Sequence, residues 1–373
     1  MMRWLIAALF CLTPSFVRAA DPRNDSVETT GHDVWVSDSG SDSGTGLSPA
    51  QAVRTFERAR NVARRLPGAK VIHVSGYFEL QTPISLSAAD RNTRWTGAHN
   101  AKPRLIAKFD APFAFVLARS DNVTIDNLYF KGYSNSAIFV NGARGVRLTN
   151  NDVEETLSRA WSQAGIHLTG TVSGAVVSDN KIVGADYGGI VIDTDTHSDV
   201  SGIVVSKNIV SNTCRVIRDC GAIYVNDRAQ KSKSIKITDN TIEDFGPLSS
   251  GGRGIYLDDF ASFVVVSGNK VSGPGVYAVQ IHSGCHNLIK NNTFDLRKLT
   301  PPTMLLFQTE PNSLRGVDGN IVENNSFIIS KETRPDLIRF VLRAHTDIFP
   351  NFIYNKLCYG NFDSCVNFES PRL

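Results

Sequence analysis

Residues 147–153 read RLTNNDV, and the same pattern returns as VVSDNKI at 176–182, VVSKNIV at 204–210, KITDNTI at 236–242 and VVSGNKV at 265–271. Each copy runs from a β-branched stretch through an asparagine to an apolar residue. Working outward gives a ladder of Asn127, Asn151, Asn180, Asn208, Asn240, Asn269, Asn292, Asn325 and Asn355, spaced by 23 to 33 residues. A recurring period of this length marks a solenoid whose coils all turn at the same place. Asparagine suits such a corner because it tolerates left-handed backbone angles and its amide can bond the amides above and below. The ladder is therefore scaffold.

A second strand recurs between the asparagines: SAIFVNG, AGIHLTG, GGIVIDT, GAIYVND, RGIYLDD, YAVQIHS and TMLLFQT. Side chains alternate along a strand. One inward stack is then Ile138, Ile166, Ile190, Ile223, Ile255, Val279 and Leu305, and the other is Val140, Leu168, Ile192, Val225, Leu257, Ile281 and Phe307. Short strands at this spacing without helices between them fit neither a sandwich nor alternating β/α units. The expected fold is all-β, a single-stranded right-handed parallel β-helix. An amphipathic stretch opening at Ser48-Pro49 and running to Leu66, with Val53, Phe56, Ala59, Val62 and Ala63 on one face, should cap its first coil.

The organisation expected is a signal peptide at 1–20, an N-terminal cap at 21–70, coils at 71–345 and a C-terminal cap at 346–373. The leader carries Arg3, an apolar run from Trp4 to Leu12, and small residues near Ala19, so export to a periplasm or beyond follows. No stretch is long and apolar enough for a membrane span. Without Arg3 and Arg18 the formal charge of +3 falls to +1, which argues against nucleic acid or an anionic membrane as partner. In an oxidising compartment Cys214–Cys220 and Cys358–Cys365 are plausible short-loop disulfides, with Cys285 left over.

The opening segment VWVSDSGSDSGTGLSPAQAVRTFERA, with RGIYLDDFASFVVVSGNKV and VQIHSGCHNLIKNNTF further on, resembles exported β-helix enzymes of the pectate-lyase-like superfamily. The central coils resemble its β-helical glycoside hydrolases. That resemblance implies a carbohydrate-active β-helix and leaves hydrolysis, elimination and epimerisation open.

Outward positions of the repeated strand should carry the chemistry. The first outward ladder is Phe139, His167, Val191, Tyr224, Tyr256, Gln280 and Leu306; the second is Asn141, Thr169, Asp193, Asn226, Asp258, His282 and Gln308, with Asp227 and Asp259 at the following bend. Crowded carboxylates raise at least one pKa, and tyrosine faces suit sugar rings. With coils about 4.8 Å apart, Asp227 and Asp259 would lie near the spacing of retaining glycosidases, and Asp193 and Asp258 near that of inverting ones.

The order Asn226-Asp227, Asp258-Asp259, His282-Ser283-Gly284 resembles the polygalacturonase arrangement, without that family's Arg-x-Lys element. By this resemblance Asp258 is the general acid and Asp227 or Asp259 the base, with His282 orienting substrate or tuning the acid. Asp193, Asn226, Tyr224, Tyr256, His167, Gln280, Arg228 and Arg253 are candidate substrate contacts. The segment Asp193-Thr-Asp195-Thr-His197 has residue types of a mannuronan-epimerase element in a different order. No cofactor is expected, although Asp193 and Asp195 could hold Ca²⁺. A glycoside hydrolase acting on a polysaccharide is the leading expectation, with a uronate lyase or C5-epimerase, then a non-catalytic polysaccharide binder, as alternatives.

Overall fold

The repeated strands form because Val, Ile and Leu alternate with residues that can face outward, and each short strand finds its copy one coil away. The computed structural model describes residues 32–373 except 158–159, 247–250, 300–302, 309–316, 318, 331–337, 342–351, 360–363 and 370–373; residues 100, 303–307, 338–341, 352–359 and 364–369 are described by backbone alone. The expected leader lies outside the described residues.

One ten-stranded parallel sheet is built from Ile84–Leu86, Phe113–Ala118, Ser136–Asn141, Ala164–Thr169, Gly188–Ile192, Gly221–Asn226, Arg253–Asp258, Tyr277–His282, Thr303–Gln308 and Ile338–Val341, stacked in chain order. Its register pairs Ile138 with Ile166, Ile190 with Ile223, and Ile255 with Val279, as the alternation predicts. The described members of both inward stacks are essentially without exposure. Each coil also contributes strands to a second, larger sheet on either side of the asparagine corner, such as Arg147–Thr149 and Asp152–Thr156. This is the right-handed parallel β-helix.

The asparagine ladder holds over its described side chains, with one correction, and the Asn355 side chain lies outside the described residues. Asn151, Asn180, Asn208, Asn240 and Asn269 each donate Nδ2 to the next asparagine's Oδ1 at 2.9 to 3.1 Å. Each also accepts from a backbone N–H of the preceding coil, as Asn240 does from Asn208 at 2.9 Å. Asn127 is not a rung, because Leu128 occupies the rung position and donates its N–H to Asn151 Oδ1. The left-handed angle belongs to the preceding residue, at Asn127, Asn150, Asp179, Lys207 and Asp239 with φ between 54° and 58°. Two needs that one residue type can meet are thus divided between neighbours: a strained corner and a buried amide.

The cap differs from the sequence expectation. Ser48-Pro49 opens only a 3-10 turn, Pro49–Gln51, with no side-chain cap bond, and the helix is Phe56–Arg65, capped by Thr55 accepting from Arg58 N. Phe56, Ala59, Val62 and Ala63 are its buried face. A two-pronged pair from Arg64 to buried Asp90, at 2.7 and 2.6 Å, ties it down. The strand His32–Ser37 already pairs in full register with Lys70–Ser75, so the stack begins inside the segment expected to be cap.

At the other end Phe352–Tyr359 and Ser364–Glu369 form an antiparallel pair in which Cys358 and Cys365 are register partners. The expected bond between them rests on side chains outside the described residues. Cys214–Cys220 is a disulfide with its sulfurs 2.05 Å apart, and Cys285 is a separate buried cysteine. Among the described residues no helix is long and apolar enough to cross a membrane.

Candidate functional site

Asp258 ends the strand Arg253–Asp258, with Asn226 as its register partner one coil earlier. On the next coil His282 Nδ1 lies 2.6 Å from Asp258 Oδ1. Tyr224 OH donates to Asp258 Oδ2 at 2.6 Å, and the Asp259 amide donates to Oδ1 at 2.8 Å. Beside this, Asp259 Oδ2 accepts from Asn226 Nδ2 at 2.9 Å and from Arg228 Nε at 2.8 Å. Five of the residues singled out from sequence therefore meet Asp258 or its neighbour: His282, Tyr224, Asn226, Asp259 and Arg228.

The charge state of Asp258 reverses the expectation. Burial pushes its carboxyl up, but the hydrogen bonds from His282 and Tyr224, the His282 charge and the Asp259 amide outweigh burial, and the group sits below the ordinary aspartate value. Asp258 is an ionised acceptor. A general acid must keep its proton, so that role is withdrawn. Tyr224 shows the converse: burial and the Asp258 charge push its hydroxyl well above the ordinary value, fixing it as a donor.

Asp227 is also withdrawn as the base. It is fully buried, and its carboxylate accepts from Lys231 N, Ser232 N and Ser232 Oγ at 3.1, 2.8 and 2.6 Å. It anchors its own loop, and its backbone N–H donates to Asp259 O at 3.2 Å.

The outward tyrosines are not open platforms either. The disulfide loop folds over this face, and Tyr187, Val191, Tyr224 and Tyr256 pack with Cys214 and Cys220 into a second apolar cluster outside the coil. Tyr224 and Tyr256 are 5% and 2% exposed, too little to stack on a sugar. Arg253 stacks on the Tyr256 ring at 4.4 Å, donates to Gln280 Oε1 at 2.6 Å and to Gly251 O at 2.7 Å, and pairs with Asp219 at 3.1 Å. Gln280, itself buried, donates on to Gln308. Arg253 and Gln280 are built into the wall and withdrawn as substrate contacts. Arg228 is the exposed cation, with its side chain 60% accessible.

Asp193 lies two coils before Asp258, and His167 Nε2, from the coil before that, lies 3.1 Å from Asp193 Oδ1, an ion-pair distance without hydrogen-bond alignment. Burial raises Asp193, but His167, Thr169 and Ser162 more than offset it, so this carboxylate too is held low. Asp195 is spent on its own turn, accepting from His197 N, Ser198 N and Ser198 Oγ. Among the described residues, Asp258, Asp259 and His282 are the group whose ligand-type atoms all lie within 4.8 Å of one another. The His282 and Tyr224 hydrogen bonds already occupy both Asp258 oxygens, so internal pairing accounts for this cluster.

One feature escaped sequence reading. Asp259 and Phe260 have φ of 37° and 73°, consecutive left-handed residues without glycine. The same bend in earlier coils is made by Gly142 and Gly170, at φ of 66° and 70°. Ser283, at the equivalent position of the next coil, is also left-handed, with φ of 58°, and a non-glycine residue held at such an angle costs about 1–2 kcal/mol.

Residues 113–294 match the family described as the right handed beta helix region. No curated protein matches the sequence. Among solved structures, ORF18 of Geobacillus virus E2 is similar at 12% identity with a TM-score of 0.58, over 82% of this chain and 58% of that one. The present chain thus spans less than two thirds of that protein. The GH136 lacto-N-biosidase from Eubacterium ramulus is similar at 12% identity and a TM-score of 0.58, over 88% of this chain and 68% of that one. An alginate lyase from Paenibacillus sp. str. FPU-7 is similar at 10% identity and a TM-score of 0.54, over 79% and 95%. At these identities the likeness is one of fold. The central coils match that family model, and the described chain has the right-handed parallel β-helix fold throughout its stack.

Proposed function

We propose that this chain is an exported polysaccharide-processing enzyme, with its chemistry at His282, Asp258 and Asp259. The carrying observation is the 2.6 Å contact between His282 Nδ1 and an Asp258 carboxylate that also accepts from Tyr224. A buried carboxylate on one ring nitrogen fixes the imidazole's orientation. His282 is then the proton-transfer group, and Asp258 positions it. Asp259, 24% accessible at its side chain, is the second carboxylate.

In glycoside hydrolysis the imidazolium protonates the leaving glycosidic oxygen while Asp259 takes a proton from the attacking water. This assignment keeps the hydrolase reading and moves the acid from Asp258 to His282. The lacto-N-biosidase likeness is compatible with it in fold.

A second reading is elimination or C5 epimerisation on a uronate polymer. It is favoured by one observation: Asp258 is held below the ordinary aspartate value and so is no proton donor, while Arg228 and Asn226 converge beside it where a sugar carboxylate could be neutralised. His282 would then abstract the C5 proton. The test is incubation with a panel of neutral and acidic polysaccharides. New reducing ends without ultraviolet absorbance mean hydrolysis, and an absorbing unsaturated uronate means elimination. If no polymer in a broad panel is cleaved, epimerised or bound, the proposal fails.

A further inference from the structure

Tyr224 points outward from its strand, where a tyrosine left to solvent would sample several rotamers and hydrogen-bond to water. It is buried instead, because the segment 214–220 packs on this face with both of its cysteines. The segment joins the strands Ile209–Thr213 and Gly221–Asn226, so its disulfide closes directly onto the strand that carries Tyr224. Both neighbouring coils anchor it. On the earlier coil, Asp186 O accepts from Val216 N and Ile217 N at 3.1 and 3.0 Å, and the Asp186 carboxylate accepts from Arg215 Nη2 at 2.6 Å. On the later coil, Arg253 N donates to Cys220 O at 2.9 Å.

Asp219, the residue before Cys220, joins the two rings that flank Tyr224. Its backbone oxygen accepts from Tyr187 OH at 3.0 Å, and its carboxylate pairs at 3.1 Å with the Arg253 guanidinium that covers the Tyr256 ring. Tyr187 and Tyr256 both meet Tyr224 edge-on, with ring centroids 6.1 and 5.2 Å away. Held between them, the Tyr224 hydroxyl accepts from Asn226 Nδ2 at 3.2 Å and donates to Asp258 Oδ2 at 2.6 Å. The other Asp258 oxygen holds His282. An unbroken line of contacts thus runs from the disulfide segment to the His282 ring.

We propose that the Cys214–Cys220 segment is a positioning element of the site: through Tyr187, Asp219 and Arg253 it sets the Tyr224 hydroxyl on Asp258, and so fixes the His282 imidazole. A buried polar network is strong when every member is in place, and losing one donor loosens the rest. Asp258 is itself buried, so a lost donor also leaves part of its carboxylate unsatisfied. The disulfide therefore does more than stabilise the coil it closes. The inference rests on the chemistry proposed for His282 and Asp258 and adds what controls their geometry.

The test is a double-mutant cycle on the full chain, Cys214→Ser with Cys220→Ser against Tyr224→Phe. It is read by NMR of the His282 ring, assigned by its loss in His282→Ala, and by kcat and KM on a polymer that the panel identifies. Opening the segment should move the His282 signals and lower kcat about tenfold with KM within about twofold. In the Tyr224→Phe background it should do neither. Tyr187→Phe keeps the disulfide and the ring but loses the bond to Asp219, so it should move the signals the same way by less; it decides the matter if the serine pair does not fold. Signals that stay at their parental positions, or that move equally with and without the Tyr224 hydroxyl, would overturn the coupling and leave the polysaccharide reading standing. Signals that move as described while no polymer is processed would uphold the coupling and sink the enzymatic reading.

Discussion

Two ladders of polar side chains climb this molecule, and both are nearly buried. In the asparagine corner, rung after rung is the same residue making the same bonds, so each coil satisfies its neighbour and nothing is left for a ligand. In the outward column the equivalent positions read Asp193, Asn226, Asp258 and His282. There the bonds are heterogeneous, running to Tyr224, Asp259 and Arg228, and the bend after Asp258 is strained where earlier coils use glycine. A repeat that keeps its residue is holding the stack. A repeat whose residue changes from coil to coil is free to carry something other than stacking.

The comparison breaks most visibly if the two ladders respond alike to mutation. Asp258→Asn keeps the size of the side chain but cannot hold the His282 imidazolium, so turnover on an identified substrate should fall about 10²–10⁴-fold while the far-ultraviolet circular dichroism is kept. Asn240→Ala strands bonds to Val205 O, Asn269 Oδ1 and both Asn208 donors. It should cost about 3 kcal/mol in chemical unfolding and leave activity per folded molecule unchanged. Opening the Cys214–Cys220 loop with paired serines should cost about 2 kcal/mol by the loop-closure estimate, measured the same way.

The smallest effect sharpens the charge assignment. Asp258 has a folded pKa below its unfolded value of about 3.9, so it contributes stability above about pH 4 that is lost as pH falls through the folded value. The stability gap between the parent and Asp258→Asn should therefore narrow between pH 5 and pH 2. A gap that widens on acidification would mean that Asp258 holds a proton after all.

Much of this was legible in the sequence because it is periodic. Strand alternation fixed which isoleucines and valines face inward, and equal spacing fixed that Asn226, Asp258 and His282 are column neighbours. What was not legible lies outside the period. Tyr224 and Tyr256 occupy outward positions, but a disulfide loop of no repeating pattern folds over them, and burial turns a sugar platform into a core. Asp227 and Asp259 follow equivalent strands, yet Asp227 turns into its own Lys231–Ser232 segment. The Asp258 carboxyl is held low by bonds from His282 and Tyr224, whose side-chain directions spacing does not give. Asn127 was misplaced because Asn150 and Asn151 are adjacent, and only hydrogen bonding tells the left-handed corner from the amide rung.

The most direct measurement is a paired one, thermal midpoint and turnover on the same preparations of His282→Ala and Asn269→Ala. The account predicts that His282→Ala keeps its midpoint within about 3 °C and loses at least about a hundredfold in turnover, and that Asn269→Ala loses midpoint and keeps turnover per folded molecule. His282→Ala with near-parental turnover would contradict it, because the outward column would then be scaffold like the asparagines.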